Sequence, residues 1–233
     1  GIPAILQGLH EQVVLPPVHA GWAVRRKSNH FAAYDQVAND FAKAIGIDPW
    51  RINPAFSVCR SVNFHERQGE ECLAANVEAV LDIVKEKYRE YDIDETPYVV
   101  VKADAGTYGM GVMTVRNVDE VIALNRKQRN KMSVVKEGLE VSEAVAEPVI
   151  YMIDRYVVGG FYRVHTGRGK DENLNAPGMH FEPLAFDTGC NMPDYGCNNP
   201  DAPPNRFYAY GVVGRLACLA AAIELERTAP EEV

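Results

Sequence analysis

The stretch "YVVVKADAGTYGMGVMTVR", residues 98–116, restricts the fold more than any other part of the chain. An apolar strand ends on Lys102, then Gly106, Gly109 and Gly111 follow within six residues, and a second β-rich run begins at once. A strand, a glycine loop and a strand in that order predict an antiparallel hairpin, not the strand–loop–helix of a dinucleotide fold. The order also makes two familiar phosphate loops poor fits. A Walker A loop carries its lysine after the glycines and runs into a helix. A Rossmann fingerprint spaces its glycines the other way round and likewise opens a helix. A flexible flap between two strands remains, with two readings. Bare backbone amides and a lysine ahead of them can cradle phosphate. Alternatively, the glycines serve a turn that needs positive φ. The lysine and the glycine density favour phosphate.

Around this flap the chain predicts an α+β fold. A helix starts near Ser28, with Phe31, Tyr34, Val37, Ala38, Phe41 and Ile45 at helical spacing, capped by Ser28 or Asn29 and ended by Gly46 and Pro49. A loop with Pro49 and Pro54 leads to a second amphipathic helix from Glu70 to about Tyr91. After the glycine hairpin, "VDEVIALNRKQRNKM" reads as one helix with Asp119 and Glu120 favourably placed in its first turn. "AEPVIYMID" and "GGFYRVHT" read as a further hairpin turning around Val157–Gly160. Residues 166–206 read as loop, and an alanine-rich helix spans about Arg206 to Arg227.

With 233 residues, 47% of them hydrophobic, the chain can bury a sizeable core. A net charge of −8 argues against a general nucleic-acid or anionic-membrane surface. The sequence shows neither a span-length apolar run nor a signal peptide, so we expect a cytoplasmic protein that binds neither nucleic acid nor membrane. The five cysteines are scattered with no Cys-x-x-Cys pair, so reduced thiols are expected and no zinc knuckle. No Cys/His pairing is visible, which sets aside a cysteine nucleophile.

The flap, with its lysine on the preceding strand, resembles the ATP-grasp superfamily. "HAGWAVRRKSNHF", "VKADAGTYGMGVMTV" with "LNRKQRNKM", and "EPVIYMIDRYVVGGFYRVH" with "ENLNAPGM" are similar to the proteobacterial glutamate–cysteine ligases of that type. The resemblance covers essentially the whole chain. It implies antiparallel sheets flanked by helices in two subdomains. Residues 1–97 would form an N-terminal and substrate portion, shorter than in the family, and 98–233 the nucleotide-binding and catalytic portion. The family is longer at the N-terminus, so this chain is expected to be the C-terminal part of a longer protein. Two departures stand out. A strand and loop walling the adenine pocket would fall between "EGLEVSE" and "AVAEPVIYMID". An acidic metal-binding strand would follow the last helix.

The resemblance also implies roles. ATP would phosphorylate the γ-carboxylate of glutamate, and the cysteine amine would attack the acyl phosphate, as the first step of glutathione biosynthesis. Lys27 and Lys102 would hold ATP phosphates, with Ala105, Gly106, Thr107, Tyr108, Gly109 and Gly111 forming the lid. Arg163 would neutralise the migrating phosphoryl group, with Lys102 beside it. Arg25 and Arg26, with Asn173 and Asn175, would meet substrate, because a guanidinium fork matches a carboxylate. Glu172 and Asn175 are oxygen donors of the kind magnesium accepts.

Each residue also carries a plainer reading. Lys27 within "RRK" reads as solvated basic surface. Arg163 reads as a cross-strand partner, His165 as a structural histidine, and Glu172 to Asn175 as an Asx-type turn before Pro177. At the level of the whole chain, a ligase for other amino acids or peptides and a non-catalytic nucleotide-binding module stand beside the leading reading. Oligomeric state, including a homo-oligomer, stays open.

Overall fold

The computed structural model describes residues 2–9, 11–105, 111–132, 139–142, 147–165, 179–184 and 206–230. Helix α1, Lys27–Ile45, ends where Gly46 enters the left-handed region at φ 73°, and α2 spans Glu70–Glu90. The glycine hairpin is built as its sequence predicts. Strands β2, Val99–Ala103, and β3, Val112–Val115, pair antiparallel with Lys102 opposite Val112. Two further strands complete a sheet in the order β1-β4-β2-β3: β1, Phe56–Cys59, and β4, Leu139–Ser142. β1 lies within the segment read from sequence as loop. Four residues are too few for a period-two pattern to stand out.

Period-two alternation along β2 decides what the sheet buries and what it offers. Val99 and Val101 point into a core with Leu73, Val77, Val80, Leu81 and Val84 of α2. Lys102 is therefore turned to the face away from α2. On that face Phe31 of α1 meets Phe56 of β1, with ring centroids 5.6 Å apart.

The segment after β3 corrects the single-helix expectation. It folds as two short helices, α3, Asp119–Ile122, and α4, Arg126–Met132. Asn125 explains the break. Its Oδ1 accepts from Gln128 N at 3.0 Å while Gln128 Oε1 accepts from Asn125 N at 2.9 Å. This reciprocal capping box starts a new helix in place of continuing the old one. Asp119 and Glu120 do occupy the first turn of α3.

The second sheet joins β5, Pro148–Ile153, β6, Tyr156–His165, and β7, Met179–Pro183, all antiparallel. The hairpin turns at Asp154–Arg155, not around Val157–Gly160. Ile153 pairs with Tyr156, and Asp154 takes φ 54°, a conformation its short polar side chain tolerates. β7 lies in the stretch read as loop. Helix α5, Arg206–Thr228, packs on α1 and on β5. Ala217 and Ala220 lie against Ala33 and Ala38 of α1. Gly214 lets α5 come close to β5, since a Cβ there would sit 2.6 Å from Ile150 Cδ1. By length and composition alone α5 could cross a membrane, which the sequence reading did not anticipate.

Candidate active site

The start of α1 and the end of β2 meet at the root of the glycine loop. Lys27 Nζ donates to Ala103 O at 2.8 Å and to Asp104 O at 3.4 Å, and Lys27 N donates to Asp104 O at 2.9 Å. Residues 27 and 102, distant in sequence, therefore lie within a residue or two of one another along β2. Below the loop, Ala103 N donates to Gly111 O at 2.9 Å, and Gly111 takes φ 64°. The hairpin thus uses positive φ at Gly111, and Lys102 lies one residue before the end of the strand that leads into it.

Asp104 ties the two elements together. Its carboxylate accepts from Ser28 N at 2.7 Å and from Ser28 Oγ at 2.9 Å, and the side chain is only 7% exposed. It caps α1 from a different element. The capping position itself falls to Arg26, whose side chain makes no cap bond, so neither Ser28 nor Asn29 caps the helix as expected from sequence. An anionic cap is favoured at a helix N-terminus by the exposed amides and the dipole.

A second buried acid holds the same end from behind. Glu224 of α5, 3% exposed, accepts from Arg25 Nε at 2.8 Å and Nη2 at 2.7 Å, and lies 3.1 Å from His30 Nδ1. The Glu224 contact raises the Arg25 pKa above its ordinary value. Burial, together with the Arg25 charge, holds His30 below its usual value. The guanidinium fork assigned from sequence to a substrate carboxylate is thus closed on Glu224. Arg26, half-buried, sits at the junction beside it.

Arg163 lies on the other sheet. Its backbone N donates to Glu147 O at 3.3 Å, and its Nε lies 3.3 Å from Glu147 Oε2, so it does have the cross-strand partner that the plainer reading proposed. On β6 it shares a face with Phe161 and His165 and is opposite Phe181. That face is aromatic, with Phe161 4.9 Å from Phe181 and 5.7 Å from Tyr151 between ring centroids. Gly106, Thr107, Tyr108, Gly109, Glu172, Asn173 and Asn175 lie outside the described residues.

Among the described residues no group of three or more His, Cys, Asp or Glu could hold a metal ion. The buried acids near the loop are already committed, Asp104 to Ser28 and Glu224 to Arg25 and His30. These residues do not make a magnesium site.

Sequence reasoning missed Asp104 and Glu224. Asp104 had a signal, being the acid between the strand lysine and the glycines. Glu224 had little, as a charge near the end of an alanine-rich helix.

Comparison with known proteins shows the family. The family model for glutamate–cysteine ligase matches residues 1–225. No curated protein matches the chain. Among solved structures, a candidate gamma-glutamylcysteine synthetase from Methylobacillus flagellatus KT is 60% identical with a TM-score of 0.84, covering 98% of this chain and 57% of that one. The chain thus spans little more than half that relative's length. The ATP-grasp ligase PsnB, complexed with minimal precursor, is 10% identical over 84% of this chain and 47% of its own, with a TM-score of 0.33. A likeness so slight carries no weight for the fold.

Proposed function

The chain belongs to the glutamate–cysteine ligase family, and from that membership we propose that it supplies the ATP-binding and phosphoryl-transfer part of an ATP-grasp ligase. The ligase joins the γ-carboxylate of glutamate to the amine of cysteine through an acyl phosphate, opening glutathione synthesis. One observation carries the reading beyond membership: Lys27, from a distant segment, sets its Nζ 2.8 Å from Ala103 O at the root of the glycine hairpin, one residue on from Lys102.

The chemistry follows from the charges. Lys27 exchanges neutral carbonyl acceptors for anionic phosphate oxygens, which adds charge–charge attraction to hydrogen bonds that its ammonium already assists. Lys102, half-buried on the face of β2 turned away from α2, meets the same polyphosphate as a point charge. Backbone amides of the glycine loop close over it and exclude water, which would otherwise hydrolyse the acyl phosphate. Arg163 neutralises the oxygens of the migrating phosphoryl group and then those of the tetrahedral intermediate, giving up its Glu147 partner as it does so. Arg25 acts indirectly: locked to Glu224, it fixes the residues that precede Lys27.

Phosphate release from ATP by the full-length protein, with glutamate and cysteine added separately and together, tests this function. Release that requires both amino acids is expected. Release supported by other amino acids would keep the nucleotide site and overturn the substrates. ATP binding with no release under any pairing would overturn the enzyme.

A further inference from the structure

Sequence spacing separates Cys59 from Cys72, yet the fold sets their sulfurs 3.8 Å apart at the contact of β1 with α2. Strand periodicity places Ser57 and Cys59 on one face of β1, and helical periodicity places Cys72 and Asn76 on one face of α2. The four side chains form a small built site. Ser57 Oγ donates to Asn76 Oδ1 at 2.8 Å, which turns the amide nitrogen toward the sulfurs. Asn76 Nδ2 then lies 2.8 Å from Cys59 Sγ and 3.7 Å from Cys72 Sγ. Cys59 is buried, at 1% exposure, whereas Cys72 is exposed.

We propose that Cys59 and Cys72 are a reversible dithiol–disulfide site, oxidised by a low-molecular-weight disulfide that enters at Cys72. The asymmetry in exposure sets the order of events. The Cys72 thiolate attacks one sulfur of the small disulfide. That S–S bond breaks, one small thiolate departs and takes a proton, and a mixed disulfide stays on Cys72. Cys59 then attacks the Cys72 sulfur, passing its proton to the second small thiolate as it leaves. Two protein thiols are oxidised and one small disulfide is reduced to two thiols. Burial pushes the Cys59 thiol up to about 11, so it attacks nothing from solvent. It acts on the sulfur already beside it, with the Asn76 amide donating to its developing thiolate. Reduction runs in reverse, with a small thiol attacking the exposed Cys72 sulfur.

Bond formation needs the sulfurs to close from 3.8 Å to about 2 Å, a movement within reach of the first turn of α2. Cys218 is an internal comparison. It is exposed, but its sulfur neighbour is the Met152 thioether at 3.9 Å, which cannot resolve a mixed disulfide.

The test treats the full-length protein with hydroxyethyl disulfide, blocks remaining thiols with an alkylating agent and maps tryptic peptides by mass. Peptides 52–60 and 68–85, each with one of the two cysteines, are expected to be joined, at the combined mass less two hydrogens, and separated by dithiothreitol. Cys218 should carry the small thiol instead. The cross-link closes a short loop and should raise the melting temperature by about 5–10 °C. Cys59→Ser should leave Cys72 holding an unresolved mixed disulfide. A wild-type protein in which Cys72 keeps the small thiol while Cys59 stays alkylatable overturns the proposal, and so does one in which Cys72 never reacts. Neither readout depends on ligase activity, so failure here and failure of the ligase reading are separable.

Discussion

Replacing Asp104 by alanine tests how the loop root is held. The carboxylate accepts two hydrogen bonds from Ser28, at 2.7 and 2.9 Å, from a buried position. Loss of an N-cap costs about 1 kcal/mol. The stranded Ser28 donors add about 1–2 kcal/mol, because a buried donor left unpaired bears its desolvation cost. The sum, about 2–3 kcal/mol, corresponds to a fall in melting temperature of about 4–12 °C for a chain of this size. The hydroxyl bond is separable. Ser28→Ala alone should cost about 1 kcal/mol, and a double-mutant cycle should show coupling of about 1 kcal/mol. Urea unfolding of the wild type, both single variants and the double variant measures all four corners. Additive effects, or an Asp104→Ala protein as stable as the wild type, would refute the cap from β2.

Other perturbations follow from the same geometry. A methyl group on Gly69 would sit 2.2 Å from Ser61 O at a φ of 78°, whereas Gly46, at φ 73°, has open space. Gly46→Ala should therefore cost about 1 kcal/mol in urea unfolding and Gly69→Ala several times more; equal costs would contradict that packing. Lys87 and the Tyr91 hydroxyl hold Asp48 down to about 2. Its folded pKa lies below the unfolded value of about 3.9, so its contribution is complete above that value and is lost as pH falls toward about 2. Asp48→Asn should flatten the acid arm of the stability–pH curve between those limits; an unchanged acid arm would count against the Lys87–Asp48 contact. Glu224→Gln leaves Arg25 and His30 without their anion and should lower the melting temperature by several degrees, detectable by calorimetry.

What the sequence made legible follows from how locally each feature is encoded. Helices α1, α2 and α5 declare themselves through long periodic apolar faces, and the glycine hairpin through its own residues. β1 and β4 are short strands whose partners lie far away, so their identity depends on pairing that no local pattern records. The break at Asn125 was missed because a polar capping box resembles an exposed helix face. Lys27 was singled out through family resemblance, not from its basic neighbours. The reason for its position, the paired acids Asp104 and Glu224, needed the fold, because each acts across a tertiary contact. Cys59 and Cys72 were hidden likewise, since a strand and a helix bring together what sequence spacing separates.

The most direct measurement is binding of ATP and of adenosine to the full-length protein and to Lys102→Ala, by titration calorimetry. If Lys102 and Lys27 hold the polyphosphate at the mouth of the hairpin, the wild type binds ATP far more tightly than adenosine. Lys102→Ala should then lose at least ~10-fold in ATP affinity, with ATP turnover down ~100-fold and adenosine binding unchanged. ATP affinity and turnover close to wild type in that variant would remove Lys102 from the site and contradict the phosphate-lid assignment.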